Sequence, residues 1–195
     1  MFREKISVIS RTVSVGVVIL VVTFLCLPGA AFSSPKKLVD DSEYSDKDFV
    51  KGCISDYSDM VKGDDLDWVW ISPGTVLANY KVTLGKFENK SDELRNSQVA
   101  GVRNIYKEVL EKTRGKDVLT ANICVYEFQK FSAGKAWIPF AGGHQMQAGM
   151  GIEVILKDRK GKTVAKIRDM ARNGAQAEDA ADESATNLKK FLNSH

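Results

Sequence analysis

Histidine is nearly absent from this chain. His144 follows Gly142-Gly143 without a partner motif, and His195 is the last residue. Structural zinc takes four ligands, and no short Cys-x-x-Cys spacing is present to help supply them. His144 therefore reads as a surface loop residue and not as a catalytic base. No Gly-x-Ser-x-Gly elbow occurs, so the usual sequence mark of a Ser-His-Asp hydrolase is missing. Gly142-Gly143 and Gly149-Met150-Gly151 match no phosphate-cradling loop. A large charge excess is also lacking: 28 Lys+Arg against 25 Asp+Glu give +3. That balance offers no electrostatic footprint for nucleic acid and no polybasic membrane patch. There is no internal repeat. No catalytic residue, cofactor or metal site is expected, and no nucleic-acid partner.

What is present begins with the leader. Arg3, Lys5 and Arg11 precede an apolar run from Val13 to Leu27, which Pro28 and Gly29 break before Ala30-Ala31-Phe32-Ser33. A basic start, a short apolar core and a small-residue exit make a secretory signal peptide. The run is short of the roughly 20 residues that cross a bilayer comfortably. Residues 1–33 are read as this signal peptide, with cutting after Ala31 or Ser33. An uncleaved anchor and a lipid on Cys26 are the competing readings. Against the first, Pro28 would fall inside the span; against the second, Leu25 stands where a lipobox wants a small residue. Contact with a membrane is expected only through this leader, if it is uncleaved or lipidated. The leader carries three bases and one acid, so the rest of the chain is near +1. About 160 residues remain, enough for one domain with a true core.

Residues 34–63 read as a polar, acidic arm, with Phe49, Val50 and Tyr57 pinning parts of it to a domain over 64–195. Cys53 and Cys124 remain after the leader. In an oxidising compartment they can pair as a disulfide; as free thiols they would be small buried apolar groups. The sequence leaves both open. Trp68 to Ile71 reads as a short strand stopped by Pro73-Gly74. Tyr80 to Leu84 alternates as a strand, with a bulge expected near Gly85. Ser91 is the expected N-cap of a helix whose stripe is Val99, Val102, Tyr106, Val109 and Leu110. Asp117 to Phe131 reads as a long central strand, with Cys124, Tyr126 and Phe128 sharing one side. Met146, Ala148, Met150, Ile152, Val154 and Leu156 alternate strictly, and Asp158-Arg159-Lys160-Gly161 turns the chain into a return strand. Gly149 and Gly151 predict close approach by a neighbouring backbone or helix. An Ala-rich helix over about 176–192 ends the chain. The fold class is therefore α+β: a mostly antiparallel sheet with two helices packed on one face, preceded by a signal peptide and a polar arm.

The candidate contact site is Ala136-Trp137-Ile138-Pro139-Phe140. Trp137, Ile138 and Phe140 beside Gly142-Gly143 suit an exposed partner-binding patch. The alternative is that Trp137 and Phe140 tuck back to close the core. Acidic pairs such as Asp64-Asp65 could serve glycoside chemistry, which needs two carboxylates across a cleft, but in a polar segment they read as solvated charge.

The chain resembles an uncharacterised family of bacterial exported proteins, many of them lipoproteins, built on a domain of unknown function. The resemblance lies in Trp70-Ile71-Ser72-Pro73-Gly74, Tyr80-Lys81, Gly134-Lys135 before the strand Gly149 to Leu156, Asp158 to Val164, and the Ala-rich terminal helix. It covers about residues 67–192 and is distantly similar to small α+β domains of envelope assembly lipoproteins. Such members usually carry a good lipobox, which this chain lacks. The resemblance brings no catalytic residues. It implies an exported protein of the periplasm or cell envelope with a non-enzymatic binding or assembly role and an envelope protein as partner. The alternatives are a small carboxylate-dependent hydrolase and a small-ligand-binding envelope domain.

Overall fold

The structure is a computed structural model describing residues 34–131 and 147–195. The signal-peptide leader, Trp137, Ile138, Phe140, His144 and Met146 lie outside the described residues. In chain order the strands are β1 (Val61–Lys62), β2 (Trp68–Ile71), β3 (Tyr80–Asn89), β4 (Asp117–Gln129), β5 (Ala148–Lys157) and β6 (Thr163–Asn173). The helices are α1 (Ser42–Ser45), α2 (Asn96–Leu110) and α3 (Ala177–Ser194). Among the described residues no helix is long and apolar enough to cross a membrane.

Strict alternation in β5 builds the centre of the sheet. Ala148, Met150, Ile152, Val154 and Leu156 are all buried on one face. They meet Val102, Tyr106, Val109 and Leu110 of α2 and Ala181, Ala185, Leu188 and Leu192 of α3. The alanines of α3 let that helix lie close on the strands, and Asp179 Oδ2 accepts from the Ala175 and Gln176 N–H groups at its start. The strands run in the order β1-β2-β6-β5-β4-β3. All neighbours are antiparallel except β3 and β4, which are parallel because α2 carries the chain between them. This is the expected α+β sheet with two helices on one face.

Three details differ from the sequence reading. Ser91 does not cap α2, which starts at Asn96. The chain is still tied to β4 at that point: Lys90 N–H donates to Val125 O, and Ser91 Oγ accepts from Phe128 N–H at 2.9 Å. A helix cannot begin while those bonds hold the backbone extended. Phe128 does not share a side with Cys124 and Tyr126. The register shifts between Val125 and Glu127, and the extra residue turns Phe128 into the helix-side core. The bulge expected near Gly85 is present, between Leu84 and Phe87.

The third difference is residues 35–62. Asp40, Glu43, Asp46, Asp48 and Asp56 face water, yet Leu38, Ile54, Tyr57 and Met60 are buried with Trp68 against the sheet face that α2 and α3 leave free. Phe49 and Tyr57 do pin the segment, while Val50 is exposed. Leu38 N–H donates to Met60 O and Lys62 N–H to Lys36 O, closing the segment on itself. An irregular segment shows no hydrophobic period, so its buried residues do not stand out in sequence. Pro35–His195 form one compact unit.

Candidate functional site

A single transverse row of the sheet collects the chemically active side chains. Strand register sets Glu88 of β3 beside Cys124 of β4, Cys124 beside Glu153 of β5, Glu153 beside Arg168 of β6, and Arg168 beside Trp68 of β2. Side chains opposite one another on adjacent strands share a face. Here that face is the one the 35–62 segment covers.

Glu153 is the centre of the row and is 1 % exposed. Its Oε2 accepts from the Cys53 N–H at 2.5 Å and the Ile54 N–H at 2.7 Å. Its Oε1 accepts from Tyr57 Oη at 2.6 Å and Arg168 Nη1 at 2.7 Å. Four donors on two oxygens leave the carboxylate well satisfied despite its burial. Burial, and then the Glu153 carboxylate beside it, push the Tyr57 phenol well above its ordinary pKa, so Tyr57 remains a donor at any physiological pH. The Arg168 guanidinium is stacked between the rings of Tyr126 (3.7 Å) and Phe49 (4.4 Å). Tyr126 is held in turn by Gly151: a Cβ there would come within 2.6 Å of its ring. The glycine thus admits a side chain, where the sequence suggested a backbone or helix.

Cys53 and Cys124 form a disulfide, with Cα atoms 6.0 Å apart, inside the range a bridge requires. It fastens the covering segment to β4, next to the point where Glu153 holds the same segment by hydrogen bonds. Glu88 Oε2 lies 2.9 Å from Cys53 Sγ, and Lys90 Nζ donates to Gly52 O at 2.7 Å. Further along, Lys166 Nζ donates to Asp56 O at 2.8 Å and pairs with Asp59. The row is therefore a clamp: Glu88, Cys124, Glu153 and Arg168 all contact residues between Phe49 and Tyr57.

The structure does not join Asp64 and Asp65 into a carboxylate pair. Asp65 pairs with Lys190 of α3 at 2.7 Å on the surface. A different pair is brought together, Asp67 and Asp169. Asp67 N–H donates to Asp169 Oδ1 at 3.2 Å, and Met170 N–H donates to Asp67 Oδ2 at 3.0 Å. Asp169 stands opposite Ile152 and so faces the helix side. Its buried Oδ2 has no hydrogen-bond partner among the described residues. Burial first, and the Asp67 charge second, raise its pKa to about 6.

A pKa raised on folding means the native state holds the proton more tightly than the unfolded chain. The stabilisation is complete below about pH 4 and is lost as pH rises through about 6, amounting to about 3 kcal/mol from this one group. Asp169→Asn cannot titrate. Its stability relative to the parent is expected to rise by about that amount between pH 4 and 7.5. Urea unfolding of both chains across that range checks it, and a constant difference would show that Asp169 does not titrate as described.

The partner-contact residues Trp137, Ile138 and Phe140 lie outside the described residues. Glu153 and Arg168 escaped the sequence reading, although a signal for them was present. They sit on the second face of the β5–β6 hairpin, paired by a register that shifts by one residue between Leu156 and Lys157, so the turn alone does not place them opposite each other. No family model matches the chain, and no curated protein does. Among solved structures, it is similar to the PelC dodecamer from Paraburkholderia phytofirmans at 12% identity, covering 64% of this chain and 94% of that one, with a TM-score of 0.38. A single-residue variant of that dodecamer gives 13% identity, 64% and 95% coverage, and a TM-score of 0.38.

Proposed function

We propose that this chain is an exported protein of the bacterial cell envelope with a non-enzymatic binding or assembly role. The observation that carries the reading is the Cys53–Cys124 bridge. Such bonds persist in oxidising compartments and are rare where glutathione and thioredoxin act, which agrees with the signal-peptide pattern of residues 1–33. The buried Glu153–Arg168 pair supports the non-enzymatic part. Its hydrogen-bonding capacity is spent on Cys53, Ile54 and Tyr57, which holds a segment in place and leaves little for a substrate. The partner is an envelope protein, met through Trp137, Ile138 and Phe140.

Fractionation of the native cell, with thiols trapped at lysis and neighbours crosslinked, tests the reading. The expected result is a shortened chain in the envelope fraction, with Cys53 and Cys124 protected from alkylation. Full-length chain, leader attached and both thiols free in the cytosol, would overturn it. Trp137→Ala tests the contact residues: lost crosslinking at unchanged melting temperature supports a partner patch. A large loss of melting temperature instead assigns Trp137 to the core.

A further inference from the structure

We propose that reduction of the Cys53–Cys124 bridge turns it into a binding site for a zinc-type divalent cation, with Glu88 as the third protein ligand. The two sulfurs and a Glu88 carboxylate oxygen all lie within 4.8 Å of one another. They come from three separate places, namely the covering segment, β4 and β3, so the site exists only in the folded chain. Two thiolates and one carboxylate are a donor set that suits Zn²⁺, which binds sulfur at about 2.3 Å and carboxylate oxygen at about 2.0–2.2 Å. Tetrahedral geometry at those lengths puts the sulfurs roughly 3.8 Å apart. Cα atoms 6.0 Å apart allow that opening by side-chain rotation.

The surroundings are suited to an ion. A pocket of about 30 Å³ lies against Cys53, Glu88, Cys124 and Asn122, with room for one water-sized particle as a fourth ligand. Cys124 sits on a strand paired on both sides, and the Cys53 backbone is held by Glu153, so two ligands are fixed before any metal arrives. Lys86 pairs with Glu88 and offsets the one negative charge left when three anionic ligands meet a dication.

A thiol reductant attacks one sulfur as its thiolate, releasing the other cysteine as a thiolate and forming a mixed disulfide. A second reductant thiol then displaces the remaining cysteine and leaves as the oxidised reductant. The protein keeps two thiols, and binding Zn²⁺ expels their two protons to solvent. Bridge and metal are mutually exclusive, because the electron pairs that would bind the cation are not available as thiolates while the sulfurs are joined. The site goes beyond the envelope reading and does not depend on it.

The test uses the purified protein, reduced anaerobically with a phosphine and titrated with Co²⁺ and then Zn²⁺. One equivalent of Co²⁺ should give a thiolate-to-metal charge-transfer band, Zn²⁺ should displace it, and the oxidised protein should give no band. Glu88→Gln keeps both thiols and should weaken Zn²⁺ binding by about tenfold or more in competition with a chromophoric chelator. Far-UV circular dichroism checks that this variant is folded. Absence of a stoichiometric band in the folded, reduced protein overturns the proposal. So does a Glu88→Gln affinity equal to the parent's, or a fold lost on reduction that one equivalent of Zn²⁺ does not restore.

Discussion

Arg168→Ala is expected to destabilise the protein by about 3–5 kcal/mol, measured as a lowered urea midpoint at unchanged slope. The side chain is 3 % exposed and donates to the fully buried side chain of Glu153. Deleting it leaves the Glu153 charge buried, with Tyr57 Oη and the Cys53 and Ile54 N–H groups as its remaining donors. It also opens a gap between the rings of Phe49 and Tyr126, which the guanidinium fills. For a chain of this size the loss corresponds to roughly 6–20 °C in melting temperature. Charge decides the result more than volume does. Replacing both partners, as in Glu153→Leu with Arg168→Met, should cost much less than the sum of the single changes, since no uncompensated ion remains. The Glu153 bonds to the covering segment would still be lost, so the double variant is not expected to be neutral. A single variant within about 1 kcal/mol of the parent would mean that water reaches Glu153 and replaces the lost donor once Arg168 is gone.

The helix side of the sheet was legible because its residues obey a period. Ala148 to Leu156 alternate over a whole strand, and Val102, Tyr106 and Leu110 recur at helical spacing in α2. The other side was not, for three physical reasons. Its cover is an irregular segment, in which Leu38, Ile54 and Met60 are buried without any repeat to mark them. Its bonds are distant in sequence: Tyr57 reaches Glu153 across 96 positions and Cys53 reaches Cys124 across 71. A one-residue bulge at Tyr126 then reassigns everything after it, which is why Phe128 leaves the face that parity gave it. The cysteines were visible as a pair of candidates, but spacing says nothing about whether two Cα atoms meet. Glu153 was the overlooked residue. A lone acid in an otherwise apolar strand is costly unless paired, but the one-residue shift between Leu156 and Lys157 hides the partner: counted from the turn, Glu153 would face Ile167 rather than Arg168.

Replacing both Cys53 and Cys124 by Ser is expected to cost about 4 kcal/mol, the loop-closure entropy returned to the unfolded chain when a bridge spanning 71 positions is removed. Thermal or urea unfolding of the variant beside the oxidised parent measures it, and a melting temperature lower by roughly 8–16 °C is the matching shift. The native state should be little altered, because the backbone around Cys53 is independently held by Glu153 and by the Lys90 bond to Gly52 O. That redundancy makes a sharper prediction. The bridge and the Glu153–Arg168 pair hold the same stretch, residues 49–57, against the same strands. In the bridged protein, Arg168→Ala leaves that stretch tethered beside its binding face, where the remaining bonds can re-form. Without the bridge it can leave altogether. Combining Arg168→Ala with the loss of both cysteines should therefore exceed the sum of the separate effects. It should also expose the 35–62 segment to protease while the α2–α3 side stays protected, since that core shares no residue with the clamp. Strict additivity, with one cooperative loss of protection over the whole chain, would show that the segment and the sheet unfold as a single unit.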